Sequence, residues 1–206
     1  MVHALNNINL KIDDRETVAI IGESGAGKST LLHIMSCIDN FDGEYYLDNI
    51  DINKLSESKK SKLRSSKIGI VLQDFALIDD FTVFENVMTP LYFNKKIKDK
   101  KGSVMRALKK TGIASLKSKK VSQLSGGQKQ RVAISRALVT NPEYIFADEP
   151  TGSLDSKTSE EIVKMLFDLN RNGITIIIVT HNLDIANKCQ RVIEIKDGNI
   201  IEDNCS

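Results

Sequence analysis

Residues 22–29 read Gly-Glu-Ser-Gly-Ala-Gly-Lys-Ser, and no other stretch limits this chain as much. Every fixed position of G-x-x-x-x-G-K-[ST] is filled. Thr-Val-Ala-Ile-Ile before it reads as a buried strand. Residues 28–38 read as a helix, with Leu31, Leu32, Met35 and Ile38 on one side. Strand, glycine-rich loop and helix together form the context of a phosphate-binding P-loop. The glycines let backbone N–H groups turn inward, and the helix N-terminus adds positive charge facing the same anion. Gly22, Glu23, Ser24, Gly25, Ala26, Gly27, Lys28, Ser29 and Thr30 are therefore the expected phosphate cradle. Lys28 is expected to reach the β- and γ-phosphates, and the Ser29 hydroxyl to ligate Mg²⁺. The chain is expected to bind a nucleoside triphosphate.

The rest of the chain alternates strands with helices, which predicts an α/β fold with a mainly parallel sheet and ligand groups at the strands' carboxyl ends. Residues 9–12 read as a strand, and 13–16 as a turn into the P-loop strand. Asp42-Gly43 marks a turn before a strand over 44–48 with a short continuation through Ile52, read as antiparallel, and 55–67 reads as an exposed helix or loop. Residues 68–72 return to strand. Thr82-Val-Phe-Glu is a capping box that starts a helix at Val83. Ser103 and Gly112 bracket a short helix carrying Val104, Ala107 and Leu108. Ser125 is placed as N-cap of a helix over 127–139. A strand at 144–147, a helix at 156–171, a strand at 174–179 and a hairpin around Asp197-Gly198 complete the pattern. The whole chain, 1–206, reads as one domain: a core from 1–73 and 138–206 with a small antiparallel β subdomain, and an inserted α-helical subdomain at 74–137.

Composition narrows the partners. A net charge of +2 creates no global field toward nucleic acid or membrane. Aromatic residues make up 5% of the chain and tryptophan is absent, which argues against stacking platforms for single-stranded nucleic acid; no nucleic-acid partner is expected. Cys37, Cys189 and Cys205 lack metal-site spacing and suit free thiols in a reducing compartment. No basic-then-apolar signal pattern opens the chain. Its longest aliphatic stretch, 174–179, is six residues, against roughly 20 for a membrane span. If a membrane process is served, another chain must do the spanning. One segment departs from neutrality: 94–120 holds eleven Lys or Arg against Asp99, and reads either as a solvated helical face or as one held against anionic headgroups.

Hydrophobic strands that end in polar residues carry the chemistry. Asp148, after Tyr-Ile-Phe-Ala, fits the acid that holds Mg²⁺ in a P-loop enzyme, and Glu149 beside it is placed to take a proton from an attacking water. His181 ends another buried strand on the same expected edge, where it would contact the γ-phosphate. Gln73 ends a third, and its amide could ligate Mg²⁺ and orient water.

These motifs, in this order, together with Leu124-Ser125-Gly126-Gly127-Gln128, Pro150 and Ser153-Leu154-Asp155, resemble the nucleotide-binding domain of an ATP-binding cassette (ABC) transporter over nearly the whole chain. The signature followed by Lys-Gln-Arg-Val-Ala is far more specific than the P-loop alone. The resemblance implies an ATPase that closes as an ATP-dependent head-to-tail homodimer with two ATP molecules in its interface. Each site would take the P-loop, Gln73, Asp148, Glu149 and His181 from one copy, and Ser125, Gly126, Gly127 and Gln128 from the other. Asp155 would link the two sites. It also implies an integral-membrane permease partner and a peripheral place on the cytoplasmic face of the membrane. Phe75-Ala-Leu-Ile would then be either the floor of the groove that receives the permease or ordinary core. The Ala-Asp-Glu-Pro-Thr-Gly-Ser-Leu-Asp run and the short length resemble the lipoprotein-releasing, macrolide-efflux and bacteriocin-export branch, the bacteriocin type above all. No regulatory C-terminal domain is expected after the hairpin.

Two departures stand out against the family pattern. The family places an aromatic side chain upstream of the P-loop strand to stack on adenine, whereas this sequence has no Phe, Tyr or Trp before Phe41, and His3 is the only ring upstream of that strand. Either the stacking strand is missing from this sequence or adenine is held more weakly, by about 1–3 kcal/mol for a lost base–aromatic stack. Arg15 stands where glycine is common. Three function classes remain: a transport ATPase; a cassette of DNA repair or translation, which generally carries a second cassette or a long coiled-coil insertion; and an ATPase partner of a membrane protein in signalling or cell division.

Overall fold

Tyr-Ile-Phe-Ala at 144–147 and Ile-Ile-Ile-Val at 176–179 offer water no polar face, so their strands must be covered on both sides. The computed structural model, which describes residues 4–94 and 96–205, covers them with helices. In chain order the strands are β1 (Thr17–Ile21), β2 (Tyr46–Leu47), β3 (Ile50–Asp51), β4 (Ile68–Val71), β5 (Tyr144–Asp148), β6 (Thr175–Val179), β7 (Arg191–Lys196) and β8 (Asn199–Cys205). The helices are α1 (Lys28–Met35), α2 (Glu57–Lys67), α3 (Val83–Met88), α4 (Lys100–Lys110), α5 (Gly126–Leu138), α6 (Ser156–Arg171) and α7 (Leu183–Ala186).

Six strands form one sheet in the order β4-β5-β6-β1-β7-β8, parallel except for β8, and β2 and β3 form a separate antiparallel pair. The pleat sorts the core. Ala19, Val71, Ile145, Ala147, Ile176 and Ile178 face a layer that includes α3, α4, α5 and α6. Val18, Ile20, Phe146, Ile177 and Val179 face the side of α1, with Leu47 of the small pair, Ile52 just after it and Leu63 of α2. Every second residue of a strand thus serves a different core.

Local signals set most boundaries. Thr82 accepts the Glu85 N–H at 3.2 Å while Glu85 accepts the Thr82 N–H at 2.7 Å, the reciprocal cap that starts α3. Asp155 caps α6, which runs over the expected residues. Asp197-Gly198 turns β7 into β8 with both φ angles positive, and β8 runs to Cys205.

Several expectations are corrected. Residues 9–12 form no strand: Ile8, Leu10 and Ile12 are partly buried against the α1-side core, but no strand of the described residues pairs with them. Alternation there reflects packing without a ladder. The antiparallel stretch 44–52 is split into β2 and β3 by Asp48-Asn49, both left-handed (φ 50 and 61°). Helix α1 stops at Met35 instead of Ile38, because Cys37 turns left-handed (φ 59°) and the Cys37 and Ile38 amides fold back to Ile34 and His33 carbonyls. Ile38 is left 45% exposed. Helix α4 starts at Lys100, before Ser103, because Asp99 accepts the Gly102 N–H at 2.9 Å and takes the cap. The α4 lysines and Arg106 lie outside while Val104, Ala107 and Leu108 are buried. The described residues include free thiols at Cys37, Cys189 and Cys205.

Candidate active site

Sheet register brings the strand-end residues to one level. Asp148 pairs with Val179 and Val179 with Ile20, so Gly22, two residues past Ile20, and His181, two past Val179, leave the sheet beside Asp148-Glu149. Val71 pairs with Ala147, which puts Gln73 on the same edge. Four separate segments meet because parallel strands all point their carboxyl ends one way.

The P-loop between β1 and α1 is built to exclude side chains. Gly22 and Gly27 have φ of 143 and 103°. A Cβ on Gly22 would come 2.1 Å from the Ile195 carbonyl oxygen, and one on Gly27 2.5 Å from that of Ala4. The backbone therefore curls tightly into α1, whose first residue is Lys28. Glu23, Ser24 and Gly25 form the exposed rim, Ala26 is buried, and Ser29 and Thr30 lie in the first turn of α1. The Lys28 ammonium donates to the Gly22 and Glu23 carbonyls at 2.8 and 2.7 Å, which holds it over the loop.

At the end of β5, Glu149 is left-handed (φ 44°), an uncommon conformation for a side chain of its size. Its N–H donates to the Val179 carbonyl at 2.9 Å, which anchors the turn to β6. One carboxylate oxygen accepts the His181 N–H at 3.0 Å and lies 2.7 Å from His181 Nδ1. The Thr180 hydroxyl donates to the other at 3.4 Å. Glu149 is 14% exposed and His181 71%, so the ring covers the carboxylate on its open side. The Gln73 amide lies over the turn that follows: a Cβ on Gly152 would be 3.1 Å from Gln73 Nε2 and 3.6 Å from Glu149 Cβ.

The signature residues are elsewhere. Ser125 caps α5, accepting the Gln128 N–H at 3.4 Å, while Gln128 Oε1 accepts the Ser125 N–H at 3.2 Å. Gly126 and Gly127 lie against Leu154 and Thr158, beside the turn into α6. The fold thus gathers Lys28, Ser29, Gln73, Asp148, Glu149 and His181 on one strand-end ridge, and presents Ser125–Gln128 beside the α6 turn. Asp155 accepts the Thr158 N–H and hydroxyl, at 3.0 and 2.6 Å, and these hold its carboxyl below the ordinary value. His3 lies outside the described residues. Of the apolar run after Gln73, Leu77 packs on the core while Ile78 is 46% exposed.

Sequence reasoning missed two residues of α5 and Thr180. Gln130 is fully buried; its Nε2 donates to the Pro150 carbonyl at 2.6 Å and its Oε1 has no partner. Arg136 donates to the carbonyls of Phe75 (2.8 Å) and Ala76, and burial pushes its guanidinium below the ordinary value, with Asp74 opposing. A polar residue at Gln130, in helical register with buried Ile134 and Ala137, was the available signal.

Known proteins resemble this chain in sequence and fold. Residues 5–152 match the family model for ABC transporters. The ABC transporter ATP-binding protein YvrO of Bacillus subtilis is 46% identical over 204 residues, covering 98% of this chain and 89% of YvrO. The macrolide export ATP-binding/permease protein MacB of Mannheimia succiniciproducens is 45% identical over 204 residues; the match takes in 98% of this chain but 32% of MacB. The cassette MJ0796 of Methanocaldococcus jannaschii, solved as a dimer in a post-hydrolysis state bound to ADP and Pi, superposes with a TM-score of 0.91 at 43% identity, covering 99% of this chain and 91% of that one. With a family model spanning residues 5–152 and YvrO and MJ0796 this similar along most of their lengths, the chain belongs to the ABC transporter family, as an ATP-binding cassette that hydrolyses ATP.

Proposed function

We propose that this chain is the ATP-hydrolysing subunit that drives a separate membrane-embedded permease in export, with a peptide, bacteriocin or other lipophilic molecule as cargo. The observation that carries the reading is the Glu149 carboxylate, held by Thr180 and His181 on the edge shared with the P-loop. Export rests on the MacB relatives, whose names join an ATP-binding part to a permease for macrolides. Bacteriocin is the narrower choice, and it rests on the sequence resemblance alone. No helix of the described residues is long and apolar enough to cross a membrane. In this reading the permease is a partner chain and this chain is peripheral, at the cytoplasmic face. Residues 74–137, with their helices and the signature, would be the subdomain that moves against the core.

In this reading the N–H groups of the P-loop and Lys28 Nζ bind the β- and γ-phosphates, the lysine exchanging its carbonyl partners for phosphate oxygens. Among the described residues no three His, Cys, Asp or Glu side chains cluster as a metal cage, which suits an ion completed by substrate phosphates and water. Ser29, Asp148 and Gln73 would hold such a Mg²⁺, which supplies charge neutralisation to the phosphates when bound. Glu149 takes a proton from water as its oxygen attacks the γ-phosphorus and the bond to the β-phosphate oxygen breaks, giving ADP and phosphate. His181 turns from Glu149 to the γ-phosphate. The α5 N-terminus of a second copy, with Ser125, Gly126, Gly127 and Gln128, closes the site, its N–H groups and partial positive charge aimed at the same anion.

The test is Glu149→Gln, which keeps the shape of the side chain but not the base. Light scattering is expected to give a monomer without nucleotide and a dimer with ATP. A monomer at saturating ATP would overturn the composite site.

A further inference from the structure

The loop after Gln73 is bent against its own sequence. Phe75 and Ala76, neither of them glycine, are both left-handed, with φ of 64 and 45°. Side chains crowd the backbone there, and two in succession persist only where surrounding structure over-determines them. The Phe75 N–H donates to the Leu72 carbonyl at 3.1 Å, and the two carbonyls that follow are held by one guanidinium. Arg136, near the last turn of α5, donates from Nη2 to the Phe75 carbonyl at 2.8 Å and from Nη1 to that of Ala76. A planar fork can grip two successive carbonyls at once, whereas an ammonium is a point donor. Sixty residues separate Arg136 from Ala76, so the grip on these carbonyls comes from outside the loop, beside the local Leu72–Phe75 turn.

We infer that Arg136 is a positioning residue for Gln73: its fork pins Phe75 and Ala76 in a strained bend, and the bend sets where the Gln73 amide lies over the Glu149 turn. The inference rests on the proposed role of Gln73 at the γ-phosphate. Its consequence reaches along α5. The same helix begins at the Ser125 cap, about 16 Å from Arg136 at 1.5 Å per residue, and between them Gln130 donates to the Pro150 carbonyl. One rigid element therefore contacts the loop carrying Gln73 and the turn carrying Glu149, and its other end is the signature offered to a second copy. A shift of α5 on dimer closure would move Gln73 without any contact of its own.

The experiment separates strain from simple support. Arg136→Lys keeps the cation but loses the fork. Ala76→Gly removes the Cβ, so the left-handed conformation no longer needs holding. The sequence has no tryptophan, so Ile78→Trp, replacing a 46% exposed side chain, gives a single fluorescent reporter on the loop. In this reporter chain Arg136→Lys is expected to shift the emission and to lower kcat about tenfold or more, as misplaced groups do. The dissociation constant for ATP is expected to stay within about twofold, since the P-loop is untouched. Adding Ala76→Gly is expected to return both emission and kcat toward the parent. An unchanged emission in Arg136→Lys overturns the inference. So does a double variant no better than the single, because glycine would only loosen a loop that needed mere support. A parent that binds ATP without turnover would instead sink the catalytic reading, and the emission of the three chains would still decide the clamp.

Discussion

Gly127 offers a sharp test of how the signature is seated. A Cβ on this glycine would come 2.4 Å from Thr158 Cγ2, closer than real side chains approach. Thr158 is not free to swing away, because its N–H and hydroxyl donate to the two oxygens of Asp155 at 3.0 and 2.6 Å. Gly127→Ala therefore overpacks the contact between α5 and α6, at a cost of about 1–3 kcal/mol. Alanine in the helix returns about 0.5–1 kcal/mol relative to glycine. The net expectation is a loss of up to about 2.5 kcal/mol. Thr158→Ser deletes the offending methyl and keeps the hydroxyl on Asp155. In that background the same glycine replacement is expected to be neutral or stabilising by up to about 1 kcal/mol. Urea unfolding of the four chains, with unchanged m values, measures the difference as a coupling energy of about 1–3 kcal/mol. An equal cost in both backgrounds would refute the reasoning, since it would mean that the signature does not press on α6 through this methyl.

Two other perturbations follow from backbone and charge. Arg15 is left-handed (φ 64°), its N–H donating to the Thr175 hydroxyl at 2.7 Å and its carbonyl accepting from Asn170 at 2.7 Å, so the turn keeps the conformation a glycine would choose. Arg15→Gly is expected to stabilise the fold by about 0.5–1 kcal/mol, the left-handed penalty less the entropy of glycine, and to raise the thermal midpoint by about 1–4 °C; a lower midpoint would show that the arginine side chain itself contributes. Burial pushes the Asp48 carboxyl up, but hydrogen bonds from Lys67 and Tyr144 outweigh it and hold it below the ordinary carboxylate value. A depressed carboxyl stabilises above its unfolded value, about 3.9, and the stability is lost as pH falls through the folded value. Asp48→Asn is therefore expected to cost stability at pH 7, with the gap to the parent closing below about pH 4. A gap of the same size at pH 7 and pH 3.5 would count against the ion pair.

Legibility in the sequence followed the range of the interaction. Capping is a matter of three residues, so Thr82 and Ser125 mark the starts of α3 and α5 within their own short segments. The P-loop is equally plain, because only glycine tolerates the close backbone approach at Gly22 and Gly27. Strand ends fix the edge on which Gln73, Asp148, Glu149 and His181 stand. Where a local signal misled, it had a rival nearby: Asp99 took the α4 cap from Ser103, and Cys37 ended α1 short of Ile38. Residues 9–12 have the right alternation, but a ladder needs a second backbone, which no period within one segment can supply.

The order of residues along the chain already held the available chemistry: a phosphate loop, an acid pair, a histidine and a helix-capping signature. Tertiary structure decided which groups hold one another. Glu149 meets His181 across 32 positions because β6 lies between β5 and β1 in the sheet. Arg136 meets Phe75 and Ala76 across about 60 because α5 packs against β4, the strand that leads into their loop. Those pairings depend on strand order and helix seating, which are set by burial of two whole sheet faces, and no stretch of chain short enough to carry a motif contains that information.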